Sequence, residues 1–165
     1  MLDQDTEQKK IKNKFYMFDR KLSYESKTLY KKFLGFLIKK GNKIAAKKIL
    51  DEAFLFVSKE TGFSMDISML KLFLKLNSFV EVKKVRVGRR TLLIPFSINL
   101  KRRSYLIVKW LMQAIKEDKK KNSLSIRLAE EILSVLGDSL AKSKKLRNAN
   151  IAQAIANRSN IHYRW

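Results

Sequence analysis

The sequence predicts a mainly α fold, a six-helix bundle with one β-hairpin inserted between the third and fourth helices. Three observations carry that prediction. Apolar residues recur every three or four positions in six separate segments, the helical period. One stretch, at about 79–98, switches to β-branched alternation around a glycine. Hydrophobic residues make up 45% of the 165, enough to bury a core in a single domain of this length.

The chain divides into a basic N-terminal arm (1–25), a helical domain (26–157) and a C-terminal tail (158–165). The arm contains KKIKNKFYMFDRK, six cations from Lys9 to Lys21 interleaved with Phe15, Tyr16 and Phe18 and without a period. Cations and rings in that mixture suit phosphates and bases, and a solvated terminus is the plainer reading. From Ser26 to Lys40, Leu29, Phe33, Leu37 and Tyr30, Leu34, Ile38 recur at intervals of four, and Gly41 offers a left-handed stop. Asn42 caps a second helix to about Thr61, with Ala45, Ile49, Ala53 and Phe56 expected on its buried side.

Gly62 closes that helix, and Asp66 or Ser64 opens a third, DISMLKLFLKLN, apolar nearly all round and so expected at the centre of the bundle. Phe79 to Val87 and Thr91 to Ile98 form the hairpin with Gly88 in its turn, and Pro95 confines its strand to an edge. Strands of this length are long enough to project beyond the bundle. Asn99 opens the fourth helix, whose apolar set includes Leu106, Trp110, Ala114 and Val108, Leu111, Ile115. A fifth runs from Ser123 to Leu136 with Leu124, Leu128, Ile132 and Val135 on one side, and Gly137 stops it. A sixth begins near Ser139 and carries Ala149, Ala152, Ile155 and Ala156 into the tail SNIHYRW.

Charge is the strongest compositional signal, since 37 Lys and Arg face 15 Asp and Glu for a net +22. Such self-repulsion calls for a polyanionic partner: nucleic acid first, an anionic membrane or acidic protein otherwise. No apolar run spans a bilayer, and Asp3, Asp5 and Glu7 give the N-terminus the look of neither a secretory signal nor a transit peptide. No membrane partner is expected.

Chemistry has few places to sit. Cysteine is absent and His162 is the one histidine, which excludes thiolate sites, Cys/His pairs and two-histidine metal sites. Neither a catalytic residue, a metal nor a cofactor is expected. Asp51, Glu52, Glu130 and Glu131 read as helix-surface acids rather than the metal-holding cluster of a nuclease. In the fourth helix Arg102, Lys109 and Lys116 are seven apart and share a stripe that Arg103 extends. In the hairpin Lys83, Lys84, Arg86, Arg89 and Arg90 meet one acid, Glu81. Both sets suit phosphates, against the plainer readings of a solvated helix face and of edge protection.

Four segments then carry a resemblance. LIKKGNKIAAKKIL (Leu37 to Leu50), VEVKKVRVG (Val80 to Gly88), RRSYLIVKWLMQA (Arg102 to Ala114) and ANRSNIHYRW (Ala156 to Trp165) together resemble the universal small-subunit ribosomal protein family S-seven, nearly end to end. Arg102, Arg103 and Trp110 match, and the ending is the most specific element. The chain departs from the family pattern at Arg89 for a second hairpin glycine, at Ser78 for a proline, in KKLRNANIAQ of the sixth helix, and in its acidic start.

The resemblance implies a protein without enzymatic activity that binds the 3′ major domain of small-subunit rRNA and nucleates head assembly. It implies neighbouring small-subunit proteins as partners, and a hairpin near exit-site tRNA and mRNA. The rRNA contacts then expected are Lys9, Lys10, Lys12, Lys14, Lys40, Lys43, Lys83, Lys84, Arg86, Arg89, Arg90, Arg102, Arg103, Lys109, Lys116, Lys144, Lys145, Arg147, Tyr163, Arg164 and Trp165. The other reading is a helical DNA-binding regulator with the hairpin or fourth helix in a groove. Lysine far exceeds arginine and Phe, Ile and Asn abound, which points to an organelle-encoded protein of a mitochondrial ribosome, with the bacterial cytoplasm as the alternative.

Overall fold

The computed structural model describes residues 23–117, 122–137 and 140–164. The expected contacts at Lys9, Lys10, Lys12, Lys14 and Trp165 lie outside the described residues. Among the described residues the chain forms α1 (Tyr24–Leu37), α2 (Lys43–Thr61), α3 (Met65–Leu76), β1 (Val80–Val87), β2 (Arg90–Ser97), α4 (Leu100–Glu117), α5 (Leu124–Leu136), α6 (Lys142–Ala156) and a 3₁₀ turn (Arg158–Tyr163). This is the six-helix, one-hairpin order expected. No described helix is long and apolar enough to cross a membrane.

Local chemistry sets the boundaries. The side chains of Ser23, Asn42, Ser64 and Ser123 each accept a backbone N–H in the first turn of α1, α2, α3 and α5. Gly62 ends α2 with φ 68°, the left-handed stop that spares a β-carbon clash. Helix α1 stops at Leu37, earlier than Lys40, because Ile38 is already extended and the reversal is made by Lys40 (φ 50°) and Gly41 (φ 77°). Gly88 has φ 60° and Arg89 does not share its left-handed conformation. A type II′ turn needs glycine only at its first central position, so Arg89 fits where the family has a second glycine.

The core lies between α1–α3 and α4–α5, around Leu29, Phe33, Leu50, Phe54, Leu72, Ile107, Leu111, Leu128 and Ile132. Helix α4 is its axis: nine of its 18 residues are buried, and α1, α5 and α6 pack around it. The expectation that α3 is central is overturned. Its buried face is Met65, Met69, Leu72, Phe73 and Leu76, while Leu74 on the opposite side is 72% exposed. In α2 the inward face is Ala46, Leu50, Ala53, Phe54 and Val57; of the expected set Ala53 is buried and Ile49 half-buried against the core, while Ala45 and Phe56 are exposed. Neighbouring stripes sit about 100° apart and both are apolar, so periodicity alone places Ala45 and Phe56 on the wrong side. In α6, Ala149, Ala152, Ile155 and Ala156 are exposed.

Two acids read as surface residues are buried. Asp51 accepts the Tyr30 hydroxyl at 3.1 Å. Glu131 accepts the backbone N–H of Ser143 at 2.9 Å and its hydroxyl at 2.7 Å. Helix α6 has no side-chain cap of its own at Ala141, so a carboxylate from α5 serves its N-terminus.

Candidate nucleic-acid interface

The hairpin pairs two eight-residue strands antiparallel, from Val80 opposite Ser97 to Val87 opposite Arg90. Its base is held and its tip is free. At the base, Ile94 and Pro95 are buried, and Ile98 packs with Leu106 and Trp110 of α4. Toward the tip, Lys84, Arg86, Arg89 and Arg90 are exposed, and Lys83, opposite Ile94, is exposed midway along the ribbon. Lys83 lies 5.1 Å from the centre of the Phe96 ring, and Arg86 donates back to the Gly88 carbonyl at 3.2 Å. These five cations, with no acid in an ion pair with them among the described residues, make the outer part of the ribbon positive.

Arg102 and Arg103, expected as phosphate ligands, are instead engaged within the protein. Arg102 makes a bidentate pair with Glu81, Nε to Oε2 at 2.8 Å and Nη2 to Oε1 at 2.6 Å. Its hydrogen bond, then its charge, holds the Glu81 carboxyl below the usual range against partial burial, and Glu81 raises Arg102 in return. The Arg102 side chain is still 45% exposed and Glu81 only 12%, so one face of the guanidinium remains open to a ligand. Arg103 donates to the Ile98 carbonyl at 3.1 Å and stacks 4.2 Å from the Phe79 ring. Both arginines therefore clamp the hairpin base to α4. Further along that helix Lys109 and Lys116 are exposed on the expected stripe.

Helix α6 and the tail add a second clamp. The side-chain amides of Asn150 and Asn160 donate to the carbonyls of Val80 (2.8 Å) and Leu93 (3.1 Å), and Arg164 donates to that of Pro95 at 2.6 Å. These cover outward-facing carbonyls of the strand edges, which otherwise invite pairing with another chain. Asn150 and Asn160 were missed from sequence, because an asparagine bound to a distant backbone leaves no pattern. Arg147 donates to the Lys75 carbonyl at 2.5 Å and to the Asn148 side chain, so it joins α6 to α3. Lys145 is exposed, Lys144 half-buried, and Tyr163 half-buried with its ring 4.0 Å from His162. Lys40 and Lys43 are exposed beside the α1–α2 reversal, some distance in sequence from the hairpin set.

No group of three or more His, Cys, Asp or Glu side chains able to hold a metal occurs among the described residues. What the geometry offers is a rigid helical body with a clamped cationic ribbon, the layout of a structural polyanion-binding protein. Comparison with known proteins makes that class specific. The profile of the family described as ribosomal protein S7p/S5e matches residues 6–158. The chain is 33% identical over 135 residues to "Small ribosomal subunit protein uS7" of Wigglesworthia glossinidia brevipalpis, covering 81% of this chain and 85% of that one. It is 31% identical over 137 residues to the protein of the same name from Shewanella amazonensis, covering 83% and 86%. The chain belongs to the ribosomal protein S7p/S5e family, whose members are structural proteins and not enzymes.

Proposed function

We propose that this protein is a constituent of the small ribosomal subunit that binds the 3′ major domain of its rRNA, helps nucleate the head, and presents its hairpin tip toward exit-site tRNA and mRNA. The observation that carries this reading is the division between a clamped base and a cationic, unpaired tip. A ribbon fixed at its base delivers Lys84, Arg86, Arg89 and Arg90 to phosphates without a large ordering cost at binding. Lys109 and Lys116 extend the surface along α4, with Lys40, Lys43, Lys144 and Lys145 as further phosphate contacts. In this reading Arg102 and Arg103 act first by fixing the ribbon and second through the open face of the Arg102 guanidinium.

The compartment is that of the ribosome it serves. The lysine-rich, asparagine-rich composition supports a mitochondrial, organelle-encoded protein, and the bacterial relatives support the bacterial cytoplasm instead. Fractionation of the source cells decides between them. For the rRNA assignment the test is incorporation: the tagged protein should co-sediment with small subunits, and a chain that stays at the top of the gradient would refute it.

A further inference from the structure

Helix α3 leaves one face unpartnered among the described residues. At 100° per residue its buried side centres on Met65, Met69, Leu72 and Leu76, and the opposite side carries Ile67, Leu70, Lys71 and Leu74. Ile67 is 44% and Leu74 72% exposed, and the preceding Phe63, 36% exposed, lies under the Lys71 ammonium at 3.2 Å. Three aliphatic side chains and a ring in one line exceed the scattered single hydrophobics usual on a surface.

We propose that this face is covered by the chain's own Phe15–Phe18 segment, folded back over α3. The entry point of the chain argues for it. The backbone N–H of Ser23 donates to the Asp66 carboxylate at 3.3 Å, so the residues before Ser23 start their path beside the first turn of α3. Phe18 is five residues upstream and reaches at most about 18 Å, whereas Leu74, eight residues past Asp66, is about 12 Å along the helix. FYMF (15–18) is the densest apolar run of the arm, and Asp19 beside it complements Lys71. A second copy is the poorer occupant, because two chains of net charge +22 repel one another, while the tethered segment faces no such association cost.

The absence of native cysteine makes the test clean. In the full chain, Phe18→Cys with Leu74→Cys is compared under mild oxidation with Phe18→Cys with Lys31→Cys. Lys31 is exposed and eight residues past Ser23 on α1, so the tether allows it equally. The first pair should close an intramolecular disulfide at least about tenfold faster, since effective concentration rises for a docked segment. Substituting Ile67 and Leu70 by Ser should bring it down to the control rate. Equal rates for the two pairs, disulfide-linked dimers through Cys at position 74, or collapse of the preference under saturating small-subunit rRNA would each overturn the proposal. The last outcome would assign the rings to RNA.

Discussion

Exchanging the charges of Glu81 and Arg102 separates a clamp from a phosphate ligand. Arg102→Glu alone removes a bidentate, charge-assisted pair that is partly exposed, a loss of about 1 kcal/mol after allowing for solvent screening. It also sets two carboxylates a few ångströms apart, roughly 1 kcal/mol more. The sum of about 2 kcal/mol lowers the melting temperature by roughly 4–8 °C in a domain of this size. Adding Glu81→Arg restores attraction with the partners reversed, so the double variant should regain most of that loss in a thermal melt followed by circular dichroism. If Arg102 acts through the hairpin, the double variant should also regain co-sedimentation with small subunits. A double variant that melts like the wild type yet stays as defective in incorporation as Arg102→Glu would refute the clamp as its main role and return Arg102 to direct phosphate binding.

Other consequences are equally open to measurement. Because Arg102 lowers the Glu81 pKa, the stabilisation from this pair is present above the ordinary carboxylate range and lost as pH falls through the depressed value. The difference in melting temperature between wild type and Glu81→Gln should therefore be seen at neutral pH and vanish on strong acidification. Glu131→Ala strips α6 of its cap and strands two donors of Ser143, which should cost about 3 kcal/mol in urea unfolding; a change under about 0.5 kcal/mol would contradict the role given to Glu131. Replacing 84–90 by a short turn should leave the melt nearly unchanged, because the main core draws nothing from the ribbon, while weakening rRNA binding through the loss of Lys84, Arg86, Arg89 and Arg90. Affinity for rRNA should fall log-linearly with salt, and a flat response would exclude phosphate contacts as the main contribution.

The order and type of the elements were legible because most boundaries carry a short-range signal. Asn42, Ser64, Gly62 and Gly88 act through turns of a few residues, and the shift to alternation at Val80 marks the hairpin plainly, whereas the Ser23 cap is missed and the expected first helix starts only at Ser26. Burial was less legible wherever a helix offered two apolar faces. Helix α3 reads as central because Ile67, Leu70 and Leu74 match its inner residues in character, and only packing against α5 chooses between the sides. In α2, Phe54 and Phe56 are both aromatic, and Phe54 wins by meeting Phe33 edge-on at 6.1 Å.

The candidate surface divides along the same line. The tip cations follow from composition and the turn, while the roles of Arg102, Arg103 and Arg147 depend on partners 21, 5 and 72 residues away. Asp51 and Glu131 look like surface acids because nothing in their own helices announces the tyrosine or the helix terminus that each one serves.

Sequencing the RNA crosslinked to the tagged protein in its own cells tests the central claim most directly. Reads concentrated in the 3′ major domain of small-subunit rRNA, with contacts mapped to the hairpin tip and the Lys109–Lys116 stripe, are the predicted result. Preferential recovery of duplex DNA, or rRNA reads spread without regard to domain, would contradict it.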